Sequence, residues 1–252
     1  MRRLVATEVE RSLARLERAF GPASSRTEPR SGDRAFEPDE VARLYGKRAA
    51  RYDFESRLYR LIGFRIDRYR QMAVDALALQ PGATVVEIGC GTGANFPLLE
   101  RAVGRAGRII GVDLTEAMLE QARRRVLLEG WPNVELVRTD AASFGFPSGV
   151  NGILSTFALT LSPEFDAIIA RGARALAPGG RWVVLDMKMP DDWPPWLVRA
   201  AVALARPYGV TLGAGVRHPW DSFSRCLPRS WMRELYLGAA FLAVGVAGQR
   251  PS

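Results

Sequence analysis

The sequence is poor in the residues that build metal centres and covalent frameworks. It holds two cysteines and one histidine in 252 residues, too few for a disulfide scaffold, and no Cys/His group has the spacing of a zinc site. Lysine is nearly missing as well. Lys47 and Lys188 are the only two, so the excess of 35 basic over 27 acidic residues, a formal charge of +8, is carried by arginine. No apolar run approaches the roughly 18–20 residues that span a bilayer, and the first residues meet charges too early for the apolar core of a signal peptide. These absences predict a reducing, cytoplasmic setting, with at most peripheral attachment at the inner membrane surface. What is present is a hydrophobic content of 48%, enough for one sizeable core plus an appendage. The basic surplus favours nucleic acid, anionic lipid or acidic substrates as partners and says nothing about fold.

The most informative stretch is V-V-E-I-G-C-G-T-G-A-N, residues 85–95. Val85, Val86 and Ile88 suit a buried parallel strand. Gly89, Gly91 and Gly93 then permit a tight turn and close passage of a ligand, and Leu98, Leu99, Ala102 and Val103 follow at helical spacing. Strand, glycine loop and helix together make a nucleotide cradle. Gly89, Gly91 and Ala94 also fit the G-x-G-x-x-G/A dinucleotide fingerprint, so the loop alone leaves two cofactors open. Asp113 ends the next apolar run, R-I-I-G-V-D, where its carboxylate can accept from a ribose diol. Both readings want that acid.

The motif E-I-G-C-G-T-G, with G-V-D-L-T-E-A-M-L downstream, resembles the first two motifs of the class I S-adenosylmethionine-dependent methyltransferases. The resemblance implies a Rossmann-like α/β fold. Its seven-stranded sheet is mostly parallel with a C-terminal antiparallel hairpin, and helices cover both faces. It implies S-adenosyl-L-methionine as cofactor, held by Glu87, Gly89, Cys90, Gly91, Thr92, Gly93, Asn95, Asp113, Leu114 and Met118, with Asp140 and Ala141 at the adenine and Phe157 facing the methyl group. The pattern L-A-P-G-G-R-W-V-V-L-D, residues 176–186, resembles the turn before the fifth strand of that class. Asn151 departs from it, standing where an aspartate often sits, with an expected effect on strand packing.

The remainder divides into an expected N-terminal segment, 1–37, and a methyltransferase domain, 38–252. Residues 2–20 place Leu4, Val9, Leu13, Leu16 and Phe20 on one helical face. That amphipathic helix is expected to dock on its own domain, join a homodimer or touch an anionic membrane surface, and residues 21–37 read as a linker. A helical cap is expected over 38–80, the cofactor core over 81–190, a lid over 191–230 and a closing hairpin over 231–248. The segments V-A-R-L-Y-G-K-R-A-A-R-Y-D-F and L-I-G-F-R-I-D-R-Y-R resemble the cap of ubiquinone and menaquinone biosynthesis methyltransferases. That likeness implies a cofactor contact for Tyr45 and a place near the methyl for Tyr52. Arg51 could stabilise an enolate or phosphate. Nine basic and three acidic residues lie between Val41 and Met72, forming either a solvated face or a surface that meets lipid head groups or steers an anionic substrate. In the lid, Trp196 to Arg206 read as an apolar helix, and Trp193, Trp196, Tyr208, Trp220 and Phe223 could wall a flat hydrophobic substrate. His218 is the one imidazole available as a base.

The expected activity is methyl transfer to a hydrophobic small molecule, quinone-like or lipid-like. The alternatives are a phospholipid or small-molecule amine as acceptor, RNA methylation, or a non-catalytic cofactor-binding module. DNA is not an expected partner. F-A-L-T follows the fourth strand in place of the [DNS]-P-P-[YFW] loop of amino methylation, and neither Cys90 nor Cys226 follows a proline as a cytosine-methylating nucleophile would. No metal is required, because the sulfonium is already an activated electrophile.

Overall fold

The computed structural model describes residues 64–190, 192–194, 196–198 and 217–248, together with 40, 43 and 46. The N-terminal helix, Tyr45, Arg51, Tyr52 and most of the cap and lid therefore lie outside the described residues. Seven strands form one sheet in the order β3-β2-β1-β4-β5-β7-β6. They are β1 Thr84–Ile88, β2 Arg108–Asp113, β3 Val134–Arg138, β4 Val150–Thr156, β5 Leu176–Met187, β6 Arg229–Leu235 and β7 Ala240–Val246. The first five run parallel, and β7 pairs antiparallel with both β5 and β6. This is the mixed sheet that the sequence resemblance implied. α1 Ile66–Ala76 precedes β1, and parallel strands require crossovers, which run through α2 Phe96–Val103, α3 Glu116–Glu129 and α4 Phe165–Ala175 and, between β3 and β4, through a loop, with α5 Pro219–Cys226 preceding β6.

Alternation along the central strands divides the core in two. Val183 and Leu185 of β5 face Ala73 and Val74 of α1 and Leu99 of α2. Trp182 and Val184 point the other way, toward Ile168 and Ile169 of α4 and Phe223 of α5. Both layers are dry, since Trp182, Val183, Val184 and Leu185 are all fully buried, and each such side chain contributes about 1.5–3 kcal/mol. α3 stops where the sequence predicted. Gly130 takes φ 64°, and the Trp131 amide donates to the Val126 carbonyl at 3.2 Å, closing the helix end.

Two local expectations are corrected. The sequence predicts a fourth helix from Pro163 to Ala177; it runs Phe165–Ala175, because β5 starts early: Leu176 already pairs with Val150 before the register shifts at Gly152–Arg181. Pro178 to Gly180 are thus an irregularity inside a strand, not a turn preceding it. The helix expected over Trp196 to Arg206 is seen at residues 196–198, the rest lying outside the described residues. Asn151 does act in strand packing, as its Oδ1 accepts from the Thr84 amide at 2.8 Å and ties the start of β4 to β1. No helix among the described residues is long and apolar enough to cross a membrane.

Candidate active site

The carboxyl ends of β3, β2, β1 and β4 open onto one cleft with about 990 Å³ of empty space, the place where open α/β sheets bind ligands. Its floor is the loop after β1. The Gly89 and Cys90 amides donate to the Val112 carbonyl at 2.8 and 3.0 Å, and the Gly91 amide donates to Asp113 Oδ2 at 2.8 Å. The other oxygen of Asp113 accepts from the Thr115 amide at 2.8 Å. One carboxylate thereby braces the glycine loop and the start of α3. Burial raises its pKa above the usual aspartate value, against the hydrogen bonds that stabilise its ionised form. The carboxylate also borders the cleft, where a ligand hydroxyl could meet it.

The three glycines have different tasks. All have positive φ, at 68°, 54° and 72°. A Cβ on Gly89 would lie 2.2 Å from that of Ala158, so Gly89 lets the β1 and β4 loops touch. A Cβ on Gly91 would meet nothing within 4 Å, at the open cleft. One on Gly93 would strike the Phe96 ring at 2.5 Å, and Gly93 does not line the cleft; it seats α2 beneath the loop.

Glu87 also stands behind the lining. It is fully buried, and its Oε1 accepts from Asn95 Nδ2 at 2.5 Å, a nitrogen that also donates to Thr156 Oγ1 at 2.8 Å. Its second oxygen has no partner. Burial raises the Glu87 pKa to about 8 despite the Asn95 hydrogen bond and the Arg70 cation, which favour the anion. Glu87 thus reaches the cleft only through Asn95, which lines it. Cys90 and Thr92 line the cleft too, and burial pushes the Cys90 thiol well above its ordinary pKa, leaving it a poor nucleophile. Leu114 and Met118 line the cleft beside Asp113, and Asp140 and Ala141 line it at the end of β3. Asp140 Oδ1 accepts from the Ala142 amide at 2.8 Å, which fixes the turn.

Phe157 lines the far side of the cleft with φ 56°, a rare conformation for an aromatic residue. Its amide donates to the Leu185 carbonyl at 2.8 Å, and its ring meets Phe64 edge-on at 5.9 Å. Phe64 in turn packs edge-on against Tyr69 of α1 at 5.2 Å and Tyr236 of the β6–β7 turn at 4.9 Å. Among the described residues these aromatics are the ones joined to Phe157, directly through Phe64. Phe223 is fully buried against Trp182 at 5.8 Å, and Trp220 meets Phe241 at 4.8 Å, both in the opposite core layer. Trp193 donates from Nε1 to the Leu237 carbonyl at 3.1 Å.

His218 is corrected as a candidate base. It is exposed, stacks on Trp220 at 4.7 Å, has Nδ1 3.5 Å from Asp221 Oδ2, and does not line the cleft. Conversely, Arg70 does line it, a residue that the sequence places only among the nine basic residues of the cap. A signal was there. Arg70 stands one helical turn after Ile66 and one before Val74, inside the buried stripe of α1, where an arginine is out of place.

Residues 85–180 match a family model described as a methyltransferase domain. The 2-phytyl-1,4-naphtoquinone methyltransferase of Thermosynechococcus vestitus is 35% identical over 161 residues, 61% of this chain and 70% of that protein. The ubiquinone/menaquinone biosynthesis C-methyltransferase of Hahella chejuensis is 30% identical over 154 residues, 60% of this chain and 61% of that one. Among solved structures, a SAM dependent methyltransferase from Aquifex aeolicus superposes with a TM-score of 0.51 at 20% identity, covering 84% of this chain and 98% of that one, a likeness of fold. With the glycine loop, its bracing aspartate and the β3-β2-β1-β4-β5-β7-β6 sheet, these similarities show that the chain belongs to the class I S-adenosylmethionine-dependent methyltransferases and is similar to their ubiquinone/menaquinone group.

Proposed function

We propose that this methyltransferase acts on a hydrophobic small molecule, quinone-like or lipid-like, entering beside Phe157. The observation that carries the reading is the makeup of that end of the cleft. Phe157, Leu159 and Leu161 line it, and Phe64, Tyr69 and Tyr236 buttress Phe157 from behind. An apolar, aromatic wall offers contact area to a ring or an isoprenoid chain and nothing to a phosphate backbone. The named quinone methyltransferases at 30–35% identity support the same class of acceptor.

The residues fit the cofactor on structural grounds. Asp113 borders the cleft at the end of β2, Asp140 and the backbone after it stand at the end of β3, and Gly91 leaves open the space a side chain would fill. When bound, S-adenosylmethionine supplies a methyl group made electrophilic by its positive sulfur. The protein's part is alignment and exclusion of water. Asp113 would hold the ribose diol, Asp140 and Ala141 the adenine edge, and the 91–95 backbone the tail. Phe157 would keep the methyl side dry. Its strained backbone, pinned by the Leu185 carbonyl, fixes the ring in place.

The test is incubation of the full chain with methyl-labelled cofactor against panels of quinols, phospholipids, small amines and structured RNA. Transfer to quinols or lipids is expected, and Phe157→Ala is expected to reduce that transfer at least tenfold. Transfer to amines or RNA alone would replace this reading.

A further inference from the structure

Arg70 is an anomaly that cofactor binding by the glycine loop does not explain. It sits mid-helix in α1, is 9% exposed, and its Nε has no hydrogen-bond partner. It takes part in no ion pair among the described residues. Nε is enclosed without a hydrogen-bond partner while the residue borders the open cleft, so an anionic ligand there would complete it. The guanidinium borders the cleft, and among the described residues it is the one cation that lines it, the other charged groups being Asp113 and Asp140.

The order of these charges along the sheet is informative. Asp140 follows β3 and Asp113 ends β2. Arg70 lies near the β1 and β4 end: its charge acts on Glu87 of β1, and α1 packs against β4, β5 and α2. From β3 to β4 there are three strand spacings, about 14 Å in all. The lining thus runs acid, acid, cation over the length of an extended nucleoside with a short tail. S-adenosylmethionine carries donors at its adenine amine and ribose hydroxyls and one anionic group, the carboxylate of its amino-acid tail.

Resting on the methyltransferase reading, we propose that Arg70 is the binding residue for the cofactor's carboxylate. The planar guanidinium matches a carboxylate through two parallel N–H···O bonds. It would receive its missing partner only when the cofactor enters, so the residue also selects against adenosyl thioethers that lack the carboxylate.

The experiment is calorimetric, with no dependence on turnover. Wild type, Arg70→Met and Arg70→Lys are titrated with S-adenosylhomocysteine and with its 3-aminopropyl analogue, identical except for the missing carboxylate. Wild type is expected to prefer S-adenosylhomocysteine at least tenfold. Arg70→Met, which retains the apolar stem, is expected to lose 10- to 100-fold for S-adenosylhomocysteine and to hold the analogue within threefold. Arg70→Lys is expected in between. Equal affinity of wild type for the two ligands would overturn the assignment without any variant. So would equal weakening of both ligands, or of neither, in Arg70→Met. Failure of wild type to bind either ligand would instead overturn cofactor binding itself.

Discussion

Gly89 and Gly91 lie two positions apart, and the same substitution at each tests a different property. Both have positive φ, so alanine costs about 1–2 kcal/mol at either from backbone strain. At Gly89 the new methyl also falls 2.2 Å from Ala158 Cβ, which must move with the β4 loop that carries Phe157. Overpacking adds about 1–3 kcal/mol. Gly89→Ala is therefore expected to lower unfolding free energy by roughly 2–5 kcal/mol in urea denaturation. Gly91→Ala is expected to lower it by only about 1–2 kcal/mol, yet to weaken S-adenosylhomocysteine more than tenfold by calorimetry, because its methyl enters the cleft. Equal stability losses in the two variants would show that the loop relaxes around Ala158. The need for glycine at both positions was legible in the sequence. The division of labour was not, since it depends on β4, more than sixty residues away in the chain.

At the scale of elements, α4 illustrates how packing overrides local preference. Gly172 lies within this helix, where glycine costs about 1 kcal/mol relative to alanine. Its missing Cβ makes room for the Trp182 ring, whose atoms would lie 2.2 and 2.6 Å from it, with Ile153 at 2.9 Å. Trp182 is fully buried and has no free direction in which to move. Overpacking of that kind costs about 1–3 kcal/mol and more for a rigid ring, which exceeds the propensity gain. Gly172→Ala is expected to lose about 1–2 kcal/mol, read from the urea midpoint at unchanged slope. A variant as stable as wild type would mean that α4 can lift off the sheet. Helix and strand spacing announced these elements almost residue for residue from β1 to β4. It failed at Pro178 to Gly180, where pairing of Leu176 with Val150 extends β5 back past the glycines.

For the whole molecule, buried carboxylates set the response to pH. Glu87 is raised from 4.5 to about 8 and Asp186 from 3.8 to about 6, both by burial. Asp186 is partly compensated, its oxygens accepting from the Thr160 and Met187 amides at 3.1 and 2.8 Å. Each group binds its proton more tightly in the folded state than in the unfolded chain, so stability falls as pH rises through the interval between the two values. The Asp186 share is lost by about pH 6 and the Glu87 share between about pH 4.5 and 8. Between pH 6 and 8 the slope belongs to Glu87 and approaches about 1.4 kcal/mol per pH unit, or roughly 3–5 °C in Tm for a chain of this size. Arg70, Arg125 and Asp113 modulate that value, the two cations lowering it and the acid raising it. Glu87→Gln keeps an oxygen for Asn95 and cannot ionise. Thermal denaturation of the cofactor-free variant is expected to be flat over that range, and a slope equal to wild type would reassign the titration to another group.

The sequence by itself determined the fold class and the cofactor loop, because both are written in local signals: apolar runs, glycines at positions of positive φ, and acids at strand ends, all within about sixty residues. The tertiary structure alone decided which side chains meet. It placed Glu87 behind Asn95, took His218 and Phe223 away from the cleft, joined Phe64 and Tyr236 to Phe157, and turned Arg70 inward. Those outcomes depend on which helix face is pressed against which strand. That contact is a property of the packed layers, and no single stretch of the chain contains it.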